Sequence, residues 1–143
     1  MIKRILSIAL LACCASVLLC AEDVVYLTTE QFRERVFDYK TEREWNYRGT
    51  KPCVIDFYTT WCGPCKRLAP IMESLSQTYC DQVVFYKVDT EREPELAYAF
   101  GIRSIPQVLY IPVEGKPMLL QGLYPKENII EIIDDFLLKK KKD

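Results

Sequence analysis

The run Trp61-Cys62-Gly63-Pro64-Cys65-Lys66 constrains this chain more than any other feature. Two cysteines two residues apart can close a small disulfide when the second lies in the first turn of a helix. The flanking residues predict that setting. Cys53 to Tyr58 is mostly apolar, β-branched or aromatic and reads as a buried strand. From Cys65 to Tyr79, the residues Leu68, Ile71, Met72, Leu75 and Tyr79 recur at helical spacing. The pair therefore sits at a strand-to-helix junction. The free amides of a helix start favour an anion, so Cys62, the more N-terminal sulfur, is expected to have the lowered pKa. A redox site is the reading.

Other residues keep a fixed order around that motif. Asp56 lies six residues before Cys62, and the proline of Ile105-Pro106 lies 41 residues after Cys65. Lys87 sits in Tyr86-Lys87-Val88-Asp89, and Gly122 comes late in the chain. In these features, from about Val24 to the C-terminus, the chain resembles the thioredoxin family. The resemblance implies an α/β thioredoxin fold, a central mixed β-sheet flanked by helices on both faces. It implies a protein-disulfide reductase that works through a reversible Cys62–Cys65 disulfide, with no metal and no organic cofactor. Cys62 would be the exposed attacker and Cys65 the deeper, resolving sulfur. Asp56 would be the buried acid, with Lys87 beside it, and Ile105-Pro106 a cis bond. Trp61, Gly63, Pro64, Ile105, Pro106 and Gly122 would line the groove that takes substrate as an added strand. The chain departs from the family's usual pattern at Tyr58, Thr59 and Gln107.

The chemistry of these residue types fits. Exchange begins when a thiolate attacks a disulfide sulfur. The chain has no histidine, so the usual neutral-pH base is missing. A carboxylate buried beneath Cys65 has a raised pKa and can accept the Cys65 proton. Sequence alone leaves Asp56 equally open to a surface position at the end of its strand. A redox-inert binding module is the reading from another class, and Cys62, Cys65, Asp56 and Pro106 together argue against it.

Bulk properties bound the rest. The length is that of one domain, and half the residues are hydrophobic, enough for a single core. The net charge is −1, so no field recruits nucleic acid. The expected partners are protein disulfides and an upstream electron donor or acceptor, met as a monomer. Lys3-Arg4, the uncharged stretch Ile5 to Leu19 and then Glu22-Asp23 have the layout of a secretory signal. The stretch is shorter than the roughly 20 residues that span a bilayer. Residues 1–21 are read as signal peptide and 22–143 as the thioredoxin domain. A periplasmic or otherwise exported location follows. Membrane attachment enters only by lipidation at Cys13 or Cys14, near a loose lipobox pattern.

Four cysteines remain beyond that leader. Cys53 and Cys80 are either buried free thiols or a structural disulfide. Along the chain, Val24 to Leu27 reads as a strand, and Thr28-x-x-Gln31 as a capping box opening a helix with Phe32, Val36 and Phe37 inward. Trp45 to Arg48 reads as a short strand. Val83 to Val88 is a strand, and Glu91 to Phe100 a helix stopped by Gly101. Gln107 to Ile111 and Met118 to Leu123 form a hairpin, and Lys126 to Leu138 a last helix. Pro70 is expected to bend the helix it lies in. Lys139 to Lys142 reads as a solvated helix end.

Overall fold

The computed structural model describes residues 23–141. The signal-peptide reading, the possible lipid sites Cys13 and Cys14, and Lys142 lie outside the described residues.

The strands are β1 (Val25–Tyr26), β2 (Cys53–Tyr58), β3 (Val84–Asp89), β4 (Gln107–Ile111) and β5 (Met118–Gln121). The helices are α1 (Thr29–Arg35), α2 (Gly63–Thr78), α3 (Pro94–Ala99) and α4 (Lys126–Ile132), and α4 runs on into a π-helical turn, Ile133–Leu137. The strands form one sheet in the order β1-β3-β2-β4-β5. β1, β3 and β2 are parallel. β4 is antiparallel to β2, and β5 to β4. The sheet is mixed as expected, and the short turn after Ile111 makes β4 and β5 antiparallel; β4, although it is reached through α3, also runs antiparallel to β2, where a parallel crossover was the expectation.

Both faces of the sheet are covered, and β2 shows why it is apolar throughout. Cys53, Ile55 and Phe57 pack on one face with Phe32 and Val36 from the α1 region and Leu96 of α3. Val54 packs on the other with Leu68, Met72 and Leu75 of α2 and Ile129 of α4. A middle strand buried on both sides loses the alternation of a half-exposed one.

The capping box forms as read: Thr28 Oγ1 accepts from the Gln31 amide at 3.2 Å, and the Thr28 amide donates to Gln31 Oε1 at 3.1 Å. Gly101 ends the α3 region with φ +65°, a left-handed turn that glycine adopts without strain. α2 continues through Pro70 as a single helix.

Three segments differ from expectation. Trp45 to Arg48 is not a strand. Its anchors lie outside the segment: the Arg48 amide donates to Val36 O at 2.9 Å, the Tyr47 hydroxyl donates to Lys51 O at 2.6 Å, and the Trp45 ring lies tilted against Phe37 with centroids 4.7 Å apart. The helix read from Glu91 begins only at Pro94. The final helix opens into a wider turn, with Leu138 N donating to Ile133 O five residues back. Asp134 in that turn accepts from the Tyr79 hydroxyl at 3.0 Å and from Lys140 Nζ at 2.6 Å. Lys140 is thus folded back on the domain, over the Tyr79 ring, and is not the freely solvated end expected.

Candidate active site

Cys62 caps the helix that carries its partner. Its backbone is extended, and its Sγ accepts from the Cys65 amide at 3.3 Å. No acidic residue stands in the first turn of α2, so no carboxylate competes for that positive end. Pro64 at the helix start removes an amide that would have had no partner there. Cys62 and Cys65 are disulfide-bonded, their Cα atoms 5.2 Å apart. Both are largely covered, at 5% and 3% exposure. Exposure therefore does not distinguish the two sulfurs as the resemblance implied. Position at the helix start does.

Asp56 lies on β2, the middle strand, and is buried. The alternative of a surface position is excluded. Desolvation pushes its carboxyl up to about 7, with the nearby Lys87 charge opposing. The two residues stand opposite each other on β2 and β3. Yet the Lys87 ammonium is held elsewhere, 3.6 Å from Glu73 Oε1 and 4.2 Å from the centre of the Tyr26 ring. Asp56 Oδ1 has no hydrogen-bond partner. A cavity of about 200 Å³ runs between Asp56, Cys65, Lys87 and Glu73, so acid and sulfur border the same space.

The proposed groove residues are placed as follows. Trp61 is 66% exposed, and its indole Nε1 donates to Glu91 Oε1 at 2.7 Å. Gly63 and Pro64 are exposed beside it. The Ile105-Pro106 bond is cis. The Gly122 amide donates to Pro106 O at 2.9 Å, with Gly122 at φ +101°. That single bond joins Pro106 and Gly122. Gln107 is buried with its Oε1 unpartnered.

Sequence reasoning passed over Glu91, Glu73 and Tyr26. Each meets its partner only through the fold: Glu91 is thirty residues from Trp61. Cys53 is a buried free thiol, so the disulfide to Cys80 does not exist. Burial pushes the Cys53 thiol up to about 12. Among the described residues no cluster of histidine, cysteine or carboxylate side chains could hold a metal.

A capped cysteine pair beside a buried acid, with a cis-proline just before the neighbouring strand, matches known proteins. The sequence model of the family described as Thioredoxin matches residues 23–135. The chain belongs to the thioredoxin family. A thioredoxin of Borreliella burgdorferi is 48% identical over 112 residues, covering 78% of this chain and 96% of that protein. Thioredoxin 1 of Synechococcus elongatus is 36% identical over 86 residues, covering 60% and 80%. Thioredoxin M2, chloroplastic, of Arabidopsis thaliana is 36% identical over 90 residues, and the chain spans 48% of its length. The solved structure of chloroplastic thioredoxin z has the same fold, with a TM-score of 0.67, 24% identity, and coverage of 79% and 93%. The chain is a protein-disulfide reductase.

Proposed function

We propose that this protein is exported and reduces protein disulfides outside the cytoplasm, through Cys62 as attacking thiolate and Cys65 as resolving thiol. The observation that carries the site reading is the Cys65 amide donating to Cys62 Sγ at the start of α2, with Asp56 buried across the shared cavity. In the reduced protein, that amide and the helix start stabilise a Cys62 thiolate. Attack on substrate forms a Cys62 mixed disulfide and frees one substrate thiol. Cys65 then gives its proton to Asp56 and attacks Cys62 Sγ. The Cys62–Cys65 bond forms, and the second substrate sulfur leaves. Lys87 holds the Asp56 pKa near working pH by its charge. Trp61, Gly63, Pro64, Ile105, Pro106 and Gly122 form the groove that receives the substrate strand.

Export rests on the basic and then uncharged leader, residues 1–21. A Cys65→Ser variant, which cannot resolve, tests both parts. It should accumulate mixed disulfides through Cys62 with exported proteins, in a fraction outside the cytoplasm, and its N-terminus should lack the leader. Trapping through Cys65 in a Cys62→Ser variant instead would reverse the sulfur roles. An intact Met1 on cytoplasmic protein would overturn export. Partners trapped during their own oxidation would favour an oxidase or isomerase acting in the same compartment.

A further inference from the structure

Asp56 is not the only buried group on its side of the sheet that lacks a partner. The Tyr110 hydroxyl is sealed in the core with no hydrogen bond, and the residue is 0% exposed. Buried polar groups nearly always have a partner in protein or in ordered water, so each exception calls for a reason. The register supplies one. β4 runs antiparallel to β2 with Val108 opposite Asp56 and Tyr110 opposite Val54. Tyr110 is therefore the diagonal neighbour of Asp56 on one face, and diagonal pairs lie within reach of an aromatic side chain. The two are also coupled electrostatically: burial first, then the Asp56 charge and Tyr124, hold the Tyr110 phenol protonated, well above its ordinary range. Two unpartnered oxygens, a carboxyl acceptor and a phenol that is always a donor, thus face one core from adjacent strands.

We propose that Tyr110 is a positioning residue for Asp56, its hydroxyl donating through one buried solvent molecule to Asp56 Oδ1 and steadying the carboxylate that deprotonates Cys65. The inference rests on the reading of Asp56 as proton acceptor. No new reactant enters. Cys65 loses its proton to Asp56, the Cys62–substrate bond breaks as the Cys62–Cys65 bond forms, and the departing thiolate is protonated by solvent. Tyr110 neither gains nor loses a proton. It makes the carboxylate a populated state in an apolar setting that would otherwise favour the neutral acid.

Other charged or titratable groups border Asp56. Lys87 of β3 lines its cavity and acts on it by charge, and Cys65, Lys66 and Glu73 line the cavity from α2. Tyr26 of β1 and Tyr58 of β2 complete that wall. None of these lies on β4, so replacing Tyr110 leaves them in place.

Tyr110→Phe keeps the ring and its packing and removes only the oxygen. The test follows the resolving step from a preformed Cys62 mixed disulfide against pH, alongside direct titration of a 13C-labelled Asp56 carboxyl. A bond to the ionised form lowers its pKa, so its loss should raise both midpoints by about one pH unit. Resolution should be roughly tenfold slower well below the midpoint and equal to that of the parent protein above it. Unchanged midpoints in Tyr110→Phe, with resolution impaired in Asp56→Asn, would overturn the role of Tyr110 alone. A parent pH profile preserved in Asp56→Asn would overturn the assignment of Asp56 and this inference with it.

Discussion

Asp56 is where function and stability conflict. In the unfolded chain it titrates near 3.8, and in the folded protein near 7. The folded state thus binds this proton more tightly. Its contribution to stability is fully present below about pH 4 and is lost as pH rises to about 7. Above that, the native protein holds a buried charge that the unfolded chain would hydrate freely. The shift corresponds to on the order of 4 kcal/mol. Asp56→Asn removes the charge. It should raise stability at pH 8 by a few kcal/mol, less the cost of an unpartnered amide. At pH 4 the gain should vanish. Urea unfolding of both proteins at the two pH values checks this, and an equal gain at both would mean that Asp56 is not ionised in the native state. The same substitution should slow the resolving step, because in the proposed mechanism Cys65 gives its proton to this acid.

Among the elements, α1 is short and depends on its first turn. Seven residues form a marginal helix without outside support. Thr28 and Gln31 satisfy one another's amides, and Thr29 donates from its amide and its hydroxyl to Glu93 Oε2 at 2.8 and 2.6 Å. The first turn, through Thr29, therefore also ties α1 to the start of α3. Thr28→Ala should lower stability by about 1 kcal/mol, measured by thermal or urea unfolding, and leave disulfide reduction unchanged. A drop in activity at matched folded fraction would show that α1 reaches the active site. α2 uses the same device with a different atom. Cys62 fills the capping position, so in the proposed mechanism the bond that starts the helix also prepares the attacking sulfur.

Across the whole molecule, the sheet divides two chemistries. Asp56 and Cys65 border a cavity with Met72 of one core. Cys53, three residues before Asp56 on the same strand, faces the other core. Successive strand residues point to opposite faces, so the free thiol and the redox site are separated by the sheet itself. Cys53→Ala should keep full reductase activity and lose roughly 1 kcal/mol of stability to a small cavity. In the native parent protein, alkylating reagents should leave Cys53 unlabelled until the chain unfolds, because burial holds it as the thiol. Rapid native labelling at Cys53, or loss of activity in a folded Cys53→Ala protein, would place a second reactive sulfur in the mechanism.

The sequence by itself determined the elements and the motif. β2 and β4 appear at the residues read for them, the capping box forms, and Cys62 stands at a helix start, because each depends on neighbours within a few positions along the chain. Periodicity, caps and turn residues are local physics. Where a local pattern competes with distant contacts, the reading failed. Trp45 to Arg48 has strand-like residues but is held by Val36, Phe37 and Lys51. The last helix widens at Asp134, which is bonded to Tyr79 of a different segment. The two outer cysteines could not be paired or separated from spacing alone, because a disulfide requires a distance that only the fold supplies. The site followed the same division. Cys62 and Cys65 are legible as a motif, and Asp56 as a residue type near it. That Asp56 is buried, that Lys87 is drawn toward Glu73 and Tyr26, that Glu91 pins Trp61 and that Tyr110 lies diagonal to the acid were decided by strand register and helix packing. These bring together residues up to 61 positions apart, and their energies depend on burial that no stretch of sequence carries on its own.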